Sequence, residues 1–259
     1  MSGVPPAHFV TFANRRYGGS LRRIRDQAKA LDRFTTIRPL DERSLGNDYW
    51  QRHATTVRTH ARGYGLWTWK PYVIAATLAE AAPGEMVVYC DAGCSLNVEG
   101  QHRFDEYLTL AAAHPTGMLG FELDGTVGEW TKRAALAALG QDTAATRRLP
   151  MISATCLVFQ ASAATRSLVH DWWEHMADPT VIDDTTSPGG EHPGFRGHRH
   201  DQSLFAVLAH QRNVSTIPDE TWWPDCWHRM RQYPFHARRW RHRLPWSGWW
   251  MEHVPWPRW

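Results

Sequence analysis

The run Met86–Cys90, MVVYC, constrains the fold more than any other stretch of this 259-residue chain. It is short and apolar, is entered from Pro83-Gly84 and is left through Asp91-Ala92-Gly93, which is the pattern of a buried strand that ends at a turn. Asp91 therefore stands at a strand's carboxyl end. In an open α/β sheet that edge is where the loops form a crevice and ligands collect. An aspartate after a strand is also an ordinary helix cap or turn former, so its meaning depends on what else reaches the same edge.

Strand-like and helix-like stretches alternate along the chain. Residues 8–13 (HFVTFA) read as a first strand, followed by a glycine loop and by Ser20 as the N-cap of a helix carrying Leu21, Ile24, Ala28 and Leu31. Helix N-termini after such loops favour anions, although Gly18-Gly19 is too short for a dinucleotide fingerprint. Residues 34–40 suggest a second strand and 41–60 a polar, partly helical connection. The segment 62–72, RGYGLWTWKPY, is dense in glycine and aromatics and leads into a helix over 72–82 that Pro71 starts. Trp67 and Trp69 read equally as core plugs. Lys70, beside that helix start, is placed to meet a phosphate. Then come a helix over 99–114, a strand over 117–123, an alanine-rich helix ending at Gly140 and one strand over 150–160. A helix with Leu168, Trp172 and Met176 on one face follows. After a polar loop over 178–199, a further helix begins at HRHDQS, where Asp201 reads as a possible N-cap. The spacing predicts one α/β domain with a largely parallel sheet.

Hydrophobic content of 42% and charged content of 21% are globular values. The net charge is only +3, and lysine supplies just Lys29, Lys70 and Lys132, so no nucleic-acid partner is expected. Four cysteines without CxxC spacing read as reduced, buried thiols. No segment approaches the roughly 20 apolar residues of a membrane span, and the first apolar run is too short for a signal peptide. The expected compartment is the cytoplasm. The C-terminal end is a different material: nine of the 15 tryptophans fall in residues 222–259, and residues 229–259 hold seven arginines against one acid, Glu252. Tryptophan with arginine suits a bilayer interface, while Pro234, Pro245, Pro255 and Pro257 rule out one continuous amphipathic helix. A body over 1–228 and an extension over 229–259, packed on the body or touching a membrane surface, are predicted.

Taken in order, GYGLWTWKPYVI, VVYCDAGCSLN, EWTKR and HRHDQSLFAVL resemble a family of bacterial glycosyltransferases with the GT-A fold, over most of residues 8–236. The resemblance implies a Rossmann-like single domain that transfers a sugar from a nucleotide-diphosphate donor to a saccharide or lipid-linked acceptor in surface-glycan assembly. It implies that Asp91 matches the first acid of a DxD motif and holds Mn2+ or Mg2+, while Gly93 replaces the second acid. His236 matches a C-terminal histidine ligand in such folds. Thr11, Ala13 and Asn14 match the nucleoside contact, and Lys70, Arg15 and Arg16 are candidates for neutralising the diphosphate. Asp201 and Gln202 match an acceptor-side pair. Asp201 would be the base of an inverting mechanism, and either residue would guide the acceptor in a retaining one. Glu122, Asp124 and Glu220 are secondary candidates.

Two other classes compete. His198-x-His200-Asp201 has ligand types suited to zinc, as in a metal-dependent hydrolase. The basic, tryptophan-rich end suits a non-catalytic carbohydrate or membrane-surface binding protein.

Overall fold

The computed structural model describes residues 4–223 and 226–239. Its strands are β1 (Ala7–Phe12), β2 (Thr36–Leu40), β3 (Met86–Cys90), β4 (Ser95–Leu96), β5 (Met118–Thr126), β6 (Pro150–Ile152), β7 (Cys156–Gln160), β8 (Ser215–Pro218) and β9 (Phe235–His236). The longer helices are α1 (Gly18–Leu31), α2 (Asn47–Thr59), α3 (Trp69–Glu80), α4 (Gln101–Ala113), α5 (Ala163–His175) and α6 (Asp201–Gln211). Seven strands form one sheet in the order β2-β1-β3-β7-β5-β6, with β8 also pairing β5, while β4 and β9 make a separate two-stranded pair. Parallel pairing of β1 with β2 and β3, and of β5 with β8, leaves β6 and β7 as the two strands that run against the other five. The sheet of this α/β domain is thus mostly parallel.

All five residues of β3 are buried, because both faces of the sheet are covered. Val87 and Tyr89 face a cluster with Trp69, Ile74, Leu168 and Phe205 from α3, α5 and α6. Met86, Val88 and Cys90 face Ile24, Leu31, Phe104 and Leu108 from α1 and α4. A strand alternates its side chains between faces, so a continuous apolar run is what two covers require.

Several local expectations are corrected. Residues 150–160 are two strands, broken at 153–155; β6 pairs with the end of β5, whereas β7 pairs with β3 and the start of β5. That break brings the carbonyl of Thr155 to the backbone N–H of Asp91, at 2.9 Å. α1 begins at Gly18 after Tyr17, so Ser20 is a buried residue inside the helix and not its cap. α3 starts at Trp69 with Pro71 third, which is permitted because the first four helical N–H groups have no intrahelical partner in any case. At α6 the cap position belongs to His200, and Asp201 is the first helical residue.

The described part of the extension lies against the body. β9 pairs antiparallel with β4. Phe235 is fully buried, with ring centroids 5.7 Å from Tyr107 and 5.9 Å from Phe104. Asn97 Nδ2 donates to the carbonyls of Arg231 and Tyr233. Residues 240–259, with Trp240, Trp246, Trp249, Trp250, Trp256 and Trp259, lie outside the described residues. Among those that are described, no helix is long and apolar enough to cross a membrane.

Candidate active site

The glycine-aromatic segment forms a left-handed turn. Gly63, Tyr64, Gly65, Leu66 and Trp67 all have positive φ, between 53° and 83°. The turn is closed by the N–H of Leu66 on the carbonyl of Arg62 at 2.9 Å and by Trp69 Nε1 on the carbonyl of Gly63 at 2.8 Å. Glycine serves here for two reasons. It adopts positive φ freely, and a Cβ on Gly65 would lie 2.7 Å from Val57 Cγ2. Tyr64, Leu66 and Trp67 have no such freedom, and a left-handed conformation costs an L-residue about 1–2 kcal/mol. A second strained residue, His200, has φ 50° and ψ −117° immediately before α6. The two strained places meet, since the rings of Trp67 and His200 are stacked at 5.6 Å. Nδ1 of His200 also lies 2.7 Å from the carbonyl of Ile182.

Between these segments Lys70, Asp91 and Asp201 come together. Lys70 is buried, with Nζ 2.6 Å from Asp201 Oδ2, 3.0 Å from the carbonyl of Ala154 and 3.3 Å from Asp91 Oδ1. Tyr89 donates its hydroxyl to the same Asp91 Oδ1 at 2.5 Å. Burial by itself would lower the Lys70 amine, but Asp201 and Asp91 outweigh it and hold the amine charged. Burial also pushes the Asp201 carboxyl upward against the pull of Lys70. With the ammonium 2.6 Å away, the two groups stand as an ion pair. The side chain of Asp201 is only 6% exposed and that of Asp91 is 28% exposed. Of the two acids, Asp91 faces outward.

The loop bearing Asp91 is clamped from behind. Arg23 of α1, buried, donates to the carbonyls of Ala92 at 2.8 Å and Cys94 at 3.0 Å, and burial lowers its guanidinium to about 10. Gly93 lies half-buried in this turn, which the N–H of Cys94 closes on the carbonyl of Asp91. Gln202 is half-buried at the start of α6, and its Oε1 accepts from the N–H of Ala154 at 3.4 Å. Tyr89 was legible in principle, because residues two apart on a strand share a face. Arg23 and Ala154 carry no local signal.

The remaining expected site residues divide. Ala13 and Asn14 border a cleft of about 300 Å3 at the carboxyl ends of β1 and β2, lined also by Arg15, Arg22, Arg25 and Arg43. Asp41 is the only acid in that lining and is paired with Arg43. Asp91 does not line the cleft but ends the strand next to β1. Arg16 is exposed but outside that lining. Thr11 is enclosed in β1, so its side chain meets no ligand from the cleft. Glu122 receives the Thr216 hydroxyl and Glu220 pairs with Arg103, both away from this cluster.

His236 is buried, with Nε2 3.0 Å from the carbonyl of Met230 and Nδ1 facing Arg238 at 3.3 Å, so both ring nitrogens are engaged. His198 Nδ1 accepts from the backbone N–H of Lys132, and burial lowers this imidazole to about 3. Among the described residues no group of three His, Cys, Asp or Glu side chains is arranged to hold a metal ion. The EWTKR segment anchors a loop instead of a ligand. Its buried Lys132 binds Asp183 Oδ1 at 2.7 Å and the carbonyl of Thr185 at 3.0 Å, tying down the long 178–199 stretch.

No family model and no curated protein matches the sequence. Among solved structures, the chain is similar to a glycosyltransferase involved in the glycosylation of the major capsid of PBCV-1. That match has 9% identity, 96% of this chain and 100% of that one covered, and a TM-score of 0.48. It is similar to mouse xyloside xylosyltransferase 1 in its apo form, with 11% identity, 84% and 87% covered, and a TM-score of 0.45. A third similarity is to the galactosyltransferase LgtC in complex with donor and acceptor sugar analogues, with 13% identity, 95% and 84% covered, and a TM-score of 0.43.

Proposed function

We propose that the chain is a GT-A glycosyltransferase that moves a sugar from a nucleotide-diphosphate donor to a saccharide or lipid-linked acceptor in surface-glycan assembly. One observation carries this reading. At the carboxyl edge of the sheet, a carboxylate with one oxygen already held by Tyr89 and Lys70 follows β3, and the neighbouring strand β1 ends at a cleft lined by four arginines. An arginine-rich cleft fits an anionic ligand, and a single outward carboxylate on the same sheet edge fits the cation that accompanies a diphosphate. In the transfer, the bond from the anomeric carbon to the phosphate oxygen breaks and its electron pair leaves on the diphosphate. The acceptor oxygen forms the new bond to that carbon and gives up its proton, which ends on the released diphosphate or on water. Fixed positive groups lower the barrier by stabilising the charge that develops on the leaving diphosphate. On this reading Ala13 and Asn14 border the nucleoside, and Arg15 and Arg22 approach its phosphates.

A divalent cation, Mn2+ or Mg2+, fits Asp91 and does not fit His236, whose nitrogens are occupied. Asp91 would hold it through Oδ2, the oxygen that neither Tyr89 nor Lys70 contacts. A lone protein carboxylate suffices where substrate phosphates and water complete the shell, so Gly93 in place of a second acid is compatible with a metal carried in by the donor. When bound, the ion supplies positive charge against the leaving group. The tryptophan- and arginine-rich stretch after Arg239 is assigned to a membrane surface, where it would bring the body to a lipid-linked acceptor at the inner face.

Thermal shift with UDP-, GDP-, CDP- and dTDP-sugars, with and without Mn2+, tests the reading. One donor class is expected to raise Tm by several degrees at saturation, since a ligand bound only by the native state stabilises it by mass action. Asp91→Asn is expected to abolish that shift and transfer, while moving the Tm of the free protein by no more than about 3 °C. Failure of every nucleotide sugar to shift the native protein would overturn the assignment.

A further inference from the structure

The charge of Lys70 is met inside the protein. Three protein oxygens surround its ammonium: the Ala154 carbonyl, hydrogen-bonded at 3.0 Å, and two carboxylate oxygens that pair with it by charge, Asp201 Oδ2 at 2.6 Å and Asp91 Oδ1 at 3.3 Å. With the side chain 3% exposed, the ammonium is enclosed by these groups and not open to a ligand. We infer that Lys70 is an internal counter-ion that positions Asp91, and that Asp201 is the anchor of Lys70 instead of an acid or base toward substrate. The inference rests on the glycosyltransferase reading of the cleft and deepens it by dividing the work between the two aspartates.

The geometry supports that division. Asp201, enclosed at the first position of α6, turns its carboxylate to Lys70 and its carbonyl to Trp172 Nε1 at 3.1 Å. Asp91 keeps one oxygen on Tyr89 and Lys70 and remains the more open of the two acids. Both arms are reached through strained backbone, the left-handed turn ahead of Lys70 and His200 ahead of Asp201, and the stacked rings of Trp67 and His200 join them. Strain of this kind persists only where the surroundings over-determine it, and it gathers at sites that need fixed geometry. Two carboxylates with one ammonium leave a net charge of −1 at the mouth, carried by Asp91. Removing Lys70 and the Asp201 charge together leaves the same −1; removing Lys70 alone strands a buried carboxylate beside Asp91.

Lys70→Met, Asp201→Asn and the double variant therefore separate an internal pair from a ligand contact. Calorimetric titration with UDP, GDP, CDP and dTDP in the presence of Mn2+ identifies the nucleoside diphosphate that the native protein binds. Lys70→Met is expected to weaken its binding by roughly tenfold or more, and the double variant to return to within roughly threefold of native. A direct contact between Lys70 and the diphosphate predicts the opposite, a double variant as weak as Lys70→Met, and that result would overturn the proposal. Melting temperatures give a second reading that needs no ligand. Each single variant should melt well below native and the double variant between them and native, whereas additive losses would remove the pair. If no nucleoside diphosphate binds the native protein, the functional assignment fails, and the melting cycle alone then decides for or against the counter-ion.

Discussion

His53 shows how one residue sets a pH response. It is fully buried beside Tyr49 and Trp173, with ring centroids at 5.1 and 4.6 Å, and neither nitrogen has a hydrogen-bond partner among the described residues. Burial, assisted by Arg52, lowers its imidazole to about 4 from the ordinary 6.5. Between those values the unfolded chain binds a proton that the native state refuses, so stability is complete above pH 6.5 and falls as the pH drops toward 4. The contribution at pH 5 is about 2 kcal/mol of destabilisation. His53→Phe is expected to flatten that acid slope in urea titrations at pH 7 and pH 5; an unchanged slope would place the acid sensitivity elsewhere, with His198 the next candidate by the same sign. At this scale the sequence was legible where a residue's role depends on its near neighbours. Asp91 is the case in point, since the apolar run before it announces a strand end. Lys70 was legible as important and not in its partner, because an ammonium beside a helix start looks alike whether it meets a phosphate or a carboxylate brought in from α6.

The left-handed turn at 63–67 is the element on which the site geometry depends. It turns the chain from α2 into α3 within a few residues, and so delivers Lys70 to the sheet edge. Gly65 is one of its two glycines with no room for a side chain: φ is +83° and an added Cβ would meet the side chain of Val57 at 2.7 Å and its Cα at 3.0 Å. Gly65→Ala is expected to cost about 2–3 kcal/mol, a fall in Tm of roughly 5–10 °C, and to weaken donor binding as Lys70 is displaced. A variant that melts like the native protein would show that the turn relaxes without consequence. The sequence marked this stretch as dense in glycine and aromatics ahead of a helix, but its left-handed course appears only in the fold, where Trp67 stacks on His200. The split of 150–160 into β6 and β7 was hidden for a similar reason, since an apolar run does not record which of two neighbouring strands it pairs with.

For the whole molecule, the described chain holds its C-terminal portion to the body as far as Arg239 through β9, Phe235 and the contacts of Asn97. The membrane role assigned to the residues beyond is read from their composition. Liposome sedimentation of the full chain against a chain ending at Arg239 tests it. Vesicles rich in anionic lipid are expected to pellet the full chain and to leave the shortened one in solution, an effect that falls with salt. Equal pelleting of the two chains would remove the residues after Arg239 from the account. What the sequence by itself determined is what period and punctuation can carry: the alternation of strands and helices, the mostly parallel α/β domain, the strand ending at Asp91 and the segments rich in chemistry. Tertiary structure alone decided which of those segments meet, that Lys70 lies between two aspartates, that Thr11 and His236 are enclosed, and which acid faces outward. Local periodicity is set by backbone geometry over a few residues, whereas burial and ion pairing depend on the whole topology that folds α3, β3 and α6 onto one edge.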